Sequence, residues 1–186
     1  MTNSRFSVAL VSIVIFVAVV LLIAGGAALA GLYNVAADAP QMALTEQFLA
    51  FVRERSVDAR AEDTKVPLLI DPKMIDDGAA DYNAMCTGCH LAPGMAENEM
   101  RPGMNPKPPQ LAVARAESNP AEDFWIIKHG IKMTAMPAWG LTHSDAEIWN
   151  IVAFLQRLPR LSPEQYRALA ASGHHDMDNM NMGGHE

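Results

Sequence analysis

Cys86-Thr87-Gly88-Cys89-His90 holds the only two cysteines of the chain, spaced C-x-x-C and followed at once by a histidine. Thiols two residues apart can reach the two vinyl groups of one haem and form thioethers. The adjoining imidazole is then set to ligate the iron from the proximal face. Three other chemistries compete for the motif. A thioredoxin-like dithiol does not require the histidine and usually opens a βαβ unit, whereas the pattern on both sides here is helical. A zinc site needs two further ligands at metal spacing, and there is no second cysteine pair. A disulfide across so short a loop constrains little chain. Covalent attachment of a single haem c is the reading the motif favours.

Composition sets the context. The 186 residues carry 14 Lys+Arg against 21 Asp+Glu, a formal net charge of −7. A nucleic-acid binder needs clustered Lys and Arg to displace counterions, and none occurs, so nucleic acid is excluded as a partner. Half of the residues are apolar, and they concentrate at one end: no charged residue lies from Phe6 to Ala37. Some 20 helical residues span a bilayer's roughly 30 Å hydrocarbon core, so residues 1–32 read as a transmembrane anchor or a signal segment. Ala28-Leu29-Ala30 has the small-x-small form of a cleavage site, but the run exceeds a usual signal core. Arg5 is the only basic residue before Arg53, which directs the N-terminus to the cytoplasm and the rest across a bacterial cytoplasmic membrane, into the periplasm.

Residues 33–75 read as a stalk. Leu44, Phe48, Leu49 and Val52 recur at helical spacing within 41–61, on a helix that either lies on the membrane or packs on the globular domain. Residues 63–72, with Pro67 and Pro72 opposing helix, read as an extended connector. A short helix over 77–85 then enters the haem motif. A middle helix runs from Pro120 to His129, capped by Asn119 and ended by Gly130. A last helix opens on the capping box Ser144/Glu147 and carries Ile148, Ile151, Val152, Leu155 and Leu158 toward Pro159. So few short helices make a thin core, which implies that the haem fills the centre and that folding and cofactor attachment are coupled.

A haem held by His90 needs a second axial ligand or an open position. Met133, Met136, His129 and His143 are the downstream candidates, with His129 also suited to complement a helix C-terminus. Met136 precedes Pro137 in the loop Thr134-Ala135-Met136-Pro137-Ala138-Trp139-Gly140, where a donor-free, φ-fixed proline can hold a ligand loop in place. With these two motifs the chain, over residues 76–160, resembles the class I monohaem cytochromes c. The resemblance implies an all-α fold: a small helical domain wrapped around one covalent haem, here preceded by a transmembrane helix. It implies cofactor attachment at Cys86 and Cys89, with His90 and Met136 as iron ligands. It further implies that Gly78 and Tyr82 cross the last helix near Phe154, and that the Pro93 carbonyl receives the proximal imidazole N–H. The stiff run Asn105-Pro106-Lys107-Pro108-Pro109 is expected along one haem edge.

Closed by His90 and Met136, the iron has no vacant position, and a thioether ligand favours the reduced state. The expected function is single-electron transport between a protein donor and a protein acceptor, by a carrier rather than an enzyme. The alternatives are a haem subunit of a larger oxidoreductase, or a peroxide-reducing enzyme if Met136 leaves the iron. Lys128, Lys132, Arg101 and Lys107 are candidates for a basic rim that docks an acidic partner. After a short helix beginning at Ser162-Pro163-Glu164, residues 161–186 end in His174, His175, Met177, Met180, Met182 and His185, a donor set suited to weak copper binding.

Overall fold

A charge-free stretch makes the first helix. α1 (Thr2–Leu29) is continuous in the computed structural model, which describes residues 2–114 and 118–172. Its segment Phe6–Leu29 is long and apolar enough to cross a membrane, and its large side chains are exposed. The chain divides into two units, Met1–Pro40 and Gln41–Glu186. Among the described residues every regular element is helical.

The second unit begins with α2 (Ala43–Ala61), which packs on α6 (Pro120–His129) and buries Val57 and Ala61. α3 (Pro72–Met85) leads into the single turn α4 (Thr87–His90). It starts five residues earlier than the sequence reading has it. Pro72 does not oppose the helix: it occupies the first helical turn, where its missing N–H costs nothing, and Asp71 caps that turn by accepting from Lys73 N. A further turn, α5 (Leu111–Ala114), precedes α6. Both later helices start as expected. Asn119 accepts from Ala121 N, and Ser144 and Glu147 complete the capping box of α7 (Asp145–Leu155). α8 (Pro163–Ser172) is capped likewise, Ser162 Oγ accepting from Gln165 N.

The core lies where α3, α7 and α8 meet. Gly78 makes the α3–α7 crossing: a Cβ there would overlap the Asn150 carbonyl oxygen and stand 2.9 Å from Ile151 N. Only a hydrogen fits. One turn later Tyr82 and Phe154 meet at 5.3 Å between ring centroids, and Tyr166 of α8 closes on both. Tyr82, Phe154, Ile148, Ile151, Leu158 and Val152 are all under 2% exposed. Each such burial contributes about 1.5–3 kcal/mol. The Tyr82 hydroxyl donates to the Leu91 carbonyl at 2.6 Å, tying the core to the residue after the haem motif. Phe124 of α6 stacks on Trp149 of α7 at 4.2 Å, a contact the apolar stripe does not reveal.

Candidate haem site

The motif forms because α3 and α4 nearly continue one another. Cys86 N donates to Tyr82 O, and His90 N donates to Cys86 O at 2.8 Å, so one helical turn presents Cys86, Cys89 and His90 together. Both cysteines are free thiols and partly buried. Burial, reinforced by the nearby Asp81 and Cys89, pushes the Cys86 thiol up to about 12. A dithiol oxidoreductase needs the opposite, a thiolate stabilised at neutral pH. Among the described residues no three His, Cys, Asp or Glu are grouped to hold a metal ion, so the zinc reading gains no ligands.

Residues 91–110 fold back over this turn. Asn98 Nδ2 donates to Gly88 O at 2.7 Å, while its Oδ1 accepts from Met100 N and Arg101 N. His90 Nδ1 lies 2.9 Å from the Pro109 carbonyl oxygen. A carbonyl only accepts, so Nδ1 carries the proton, and in the neutral ring Nε2 is then the nitrogen whose lone pair could serve a metal. The proline that receives the imidazole is thus Pro109, not Pro93. Pro93 sits in a tight turn closed by Met95 N donating to Ala92 O, with Gly94 against Pro163 of α8.

Arg101 corrects a second expectation. It is no surface charge: it is 1% exposed, and its Nη2 donates to the Pro108 carbonyl at 2.7 Å, beside the peptide that holds His90. Among the described residues its Nε and Nη1 are buried without a hydrogen-bond partner, and Glu97 Oε1 stands 3.9 Å from Nε. The expected basic rim is further reduced because Lys107 pairs with Glu97 at 2.6 Å and Lys128 with Asp145 at 2.6 Å. Of the four, Lys107 and Lys132 are exposed.

The loop after α6 is fastened at Met136. Its carbonyl accepts from Ile131 N at 3.2 Å and its N–H donates to Thr134 Oγ1 at 3.1 Å. Gly130 has φ +64°, and a Cβ there would meet Met136 O at 2.7 Å. Met136 is partly buried against the core, whereas Met133 sits at the loop's tip with φ 59° and 95% of its surface exposed. His129 is exposed and its ring leans on Trp125 at 5.0 Å. His143 shares a hydrogen bond with Thr142 and meets the edge of Trp139. The tail residues His174, His175, Met177, Met180, Met182 and His185 lie outside the described residues.

These residues suit a haem. Two thiols, an imidazole protonated at Nδ1 and a thioether are the donor types that attachment and ligation would need. Met85, Cys86, Leu111, Ala112, Met136 and Trp139 form a half-covered apolar margin to the core. The buried guanidinium of Arg101 has donors that an anionic carboxylate of the macrocycle would satisfy.

Residues 73–155 match the family model of cytochrome c oxidase, cbb3-type, subunit III. Neither the curated proteins nor the solved structures include a match to the chain. The matched segment, which contains Cys86, Cys89, His90 and Met136, is a c-type cytochrome domain, and its family implies haem c and a role in electron transfer.

Proposed function

We propose that the protein is a membrane-tethered monohaem cytochrome c that carries single electrons between redox proteins, with its cytochrome domain in the periplasm of a bacterium. The observation that carries this reading is the hydrogen bond of His90: its Nδ1 lies 2.9 Å from the Pro109 carbonyl oxygen, directly after a cysteine pair wound into one turn. In this reading Cys86 and Cys89 would tether the haem, and His90 and Met136 would hold its iron. Haem c bound here supplies reversible one-electron chemistry at iron. His90 is held in one orientation by Pro109, and its hydrogen bond raises the basicity of Nε2. Met136 has its main chain fastened through both its N–H and its carbonyl, which fixes where along the loop its side chain leaves the backbone. The membrane topology follows from Arg5: its positive charge retains the N-terminus on the cytoplasmic side, so all residues beyond α1 are exported.

Oxidised and reduced visible spectra of the wild type beside Met136→Ala test this reading. The wild type is expected to show a low-spin haem with a sulfur–iron charge-transfer band that Met136→Ala abolishes. Colourless protein refutes haem attachment, and a high-spin wild-type spectrum favours the peroxide-reducing alternative. A second reading, a haem subunit of a larger oxidoreductase, draws on the match to a subunit of a cbb3-type oxidase. Co-purification of integral membrane redox proteins in stoichiometric amounts from native membranes favours the subunit over the free carrier.

A further inference from the structure

α2 lies outside the segment that matches the cytochrome family, and it has two unlike faces. At 100° per residue, Leu44, Phe48, Phe51 and Val52 fall within an arc of about 100°, while Val57 and Ala61 point to nearly the opposite side. The first four are 76%, 61%, 60% and 44% exposed, whereas Val57 and Ala61 are buried in the unit that contains α6. Among the described residues the domain covers one face of this helix and leaves the other exposed.

Three observations say what covers that face. Only 13 residues separate Leu29, the end of α1, from Ala43, the start of α2. A flexible link of that length has a typical span of roughly 20 Å, so α2 is within reach of any bilayer that α1 crosses. Between Ala39 and Val52 the one charged residue is Glu46, on the opposite side from Phe48; Arg53 and Arg55 follow, and Arg55 continues the line of the stripe. Two phenylalanines, a leucine and a valine ending at an arginine have the composition of a helix seated at the boundary between acyl chains and headgroups. Finally, four side chains on about two turns fall well short of the roughly 800 Å² per partner of a stable protein interface. Lipid needs no such area or shape match.

We propose that the stripe Leu44, Phe48, Phe51 and Val52 is a lipid-binding surface that seats α2 in the headgroup region of the membrane. Because the same helix is packed on α6 by its other face, the cytochrome domain rides on the bilayer instead of swinging on a free tether. The proposal rests on α1 being a membrane span and is independent of the haem.

The test uses the full chain in nanodiscs of phosphatidylethanolamine and phosphatidylglycerol. A photoreactive benzoylphenylalanine replaces Phe48, Phe51 or, as the opposite-face control, Glu46, and adducts are identified by mass spectrometry after illumination. The expected result is lipid adducts at 48 and 51 and none at 46. In parallel, Phe48→Glu with Phe51→Glu, both surface positions, should leave helicity intact and speed amide exchange over 43–52. The proposal is overturned by adducts to a second copy of the chain, by equal lipid labelling at 46, or by no labelling at 48 and 51 with unchanged exchange. The same adducts formed with another protein in native membranes, in place of lipid, overturn it as well. Protein released by a salt wash shows that the anchor reading itself has failed. Colourless protein that still labels at 48 and 51 leaves this proposal standing and removes only the haem.

Discussion

At the scale of single residues, the buried Arg101 and the partly buried Cys86 each carry a prediction. Arg101 donates to one carbonyl and lies 3.9 Å from Glu97, and among the described residues its Nε and Nη1 have no hydrogen-bond partner. A buried charge short of partners costs several kcal/mol, so the loaded protein should use it. Arg101→Met is expected to destabilise the haem-loaded protein by about 2–3 kcal/mol, because both the Pro108 bond and a charge-assisted contact are lost. Arg101→Lys should recover part of that loss, by keeping charge without the fork. Urea unfolding followed in the haem absorption measures both, and equal stabilities for wild type and Arg101→Met would leave the guanidinium without a role. Cys86 gives a pH prediction. Its thiol is raised from 9.0 to about 12, chiefly by burial. A group protonated more tightly in the folded state stabilises the fold fully below about pH 9, and that contribution is lost as pH climbs through about 12. The haem-free chain should therefore lose helicity between these values. Protein whose Cys86 sulfur is already a thioether has no such proton and should lack this component, and identical alkaline transitions in the two forms would argue against attachment there.

At the scale of elements, the α3–α7 crossing makes the sharpest prediction, since two effects of one substitution have opposite signs. Gly78→Ala raises intrinsic helix propensity by about 1 kcal/mol. It also drives a methyl into the Asn150 carbonyl, where rigid backbone on both sides cannot yield. Overpacking should prevail by about 3 kcal/mol, read as a fall in the thermal midpoint; a rise would mean that the helices are not this close. Elements governed by local chemistry are legible in the sequence: the boundaries of α6 and the capping box of α7 follow from Asn119, Pro120, Gly130, Ser144 and Glu147, each acting within four residues. The Gly78–Tyr82–Phe154 crossing is legible through family resemblance. Pro72 misleads because a proline that ends one segment can equally open the next, and only the Asp71 cap decides. The acceptor of the His90 proton escapes local reading because Pro109 lies 19 residues downstream, and loop closure over that distance leaves no nearby signal. The burial of Arg101 depends on the same closure, and nothing in a Pro/Gly-rich loop distinguishes an inward arginine from a solvated one.

At the scale of the whole molecule, charge decides how redox partners approach. A basic rim would attract an acidic partner, but the rim expected from sequence is largely consumed: Arg101 is buried, and Lys107 and Lys128 are paired with Glu97 and Asp145. What a distant partner meets is then the overall balance, −7 for the chain and −3 for residues 76–160, from ten acidic and seven basic residues. Like-charged reactants are slowed by repulsion and freed by screening, while opposite charges behave in reverse. Stopped-flow oxidation of the reduced protein by ferricyanide should therefore accelerate as salt rises from about 10 to 200 mM, across which the Debye length shrinks from about 30 Å to under 10 Å. Oxidation by a cationic cobalt(III) complex should slow over the same range. Both trends belong to the long-range field and leave the intrinsic potential of the haem untouched, so spectra and potential measured alongside should stay constant. The opposite pair of trends would mean that Lys132 and its neighbours present a local positive face strong enough to outweigh the net charge, and docking to an acidic partner would then regain its physical basis.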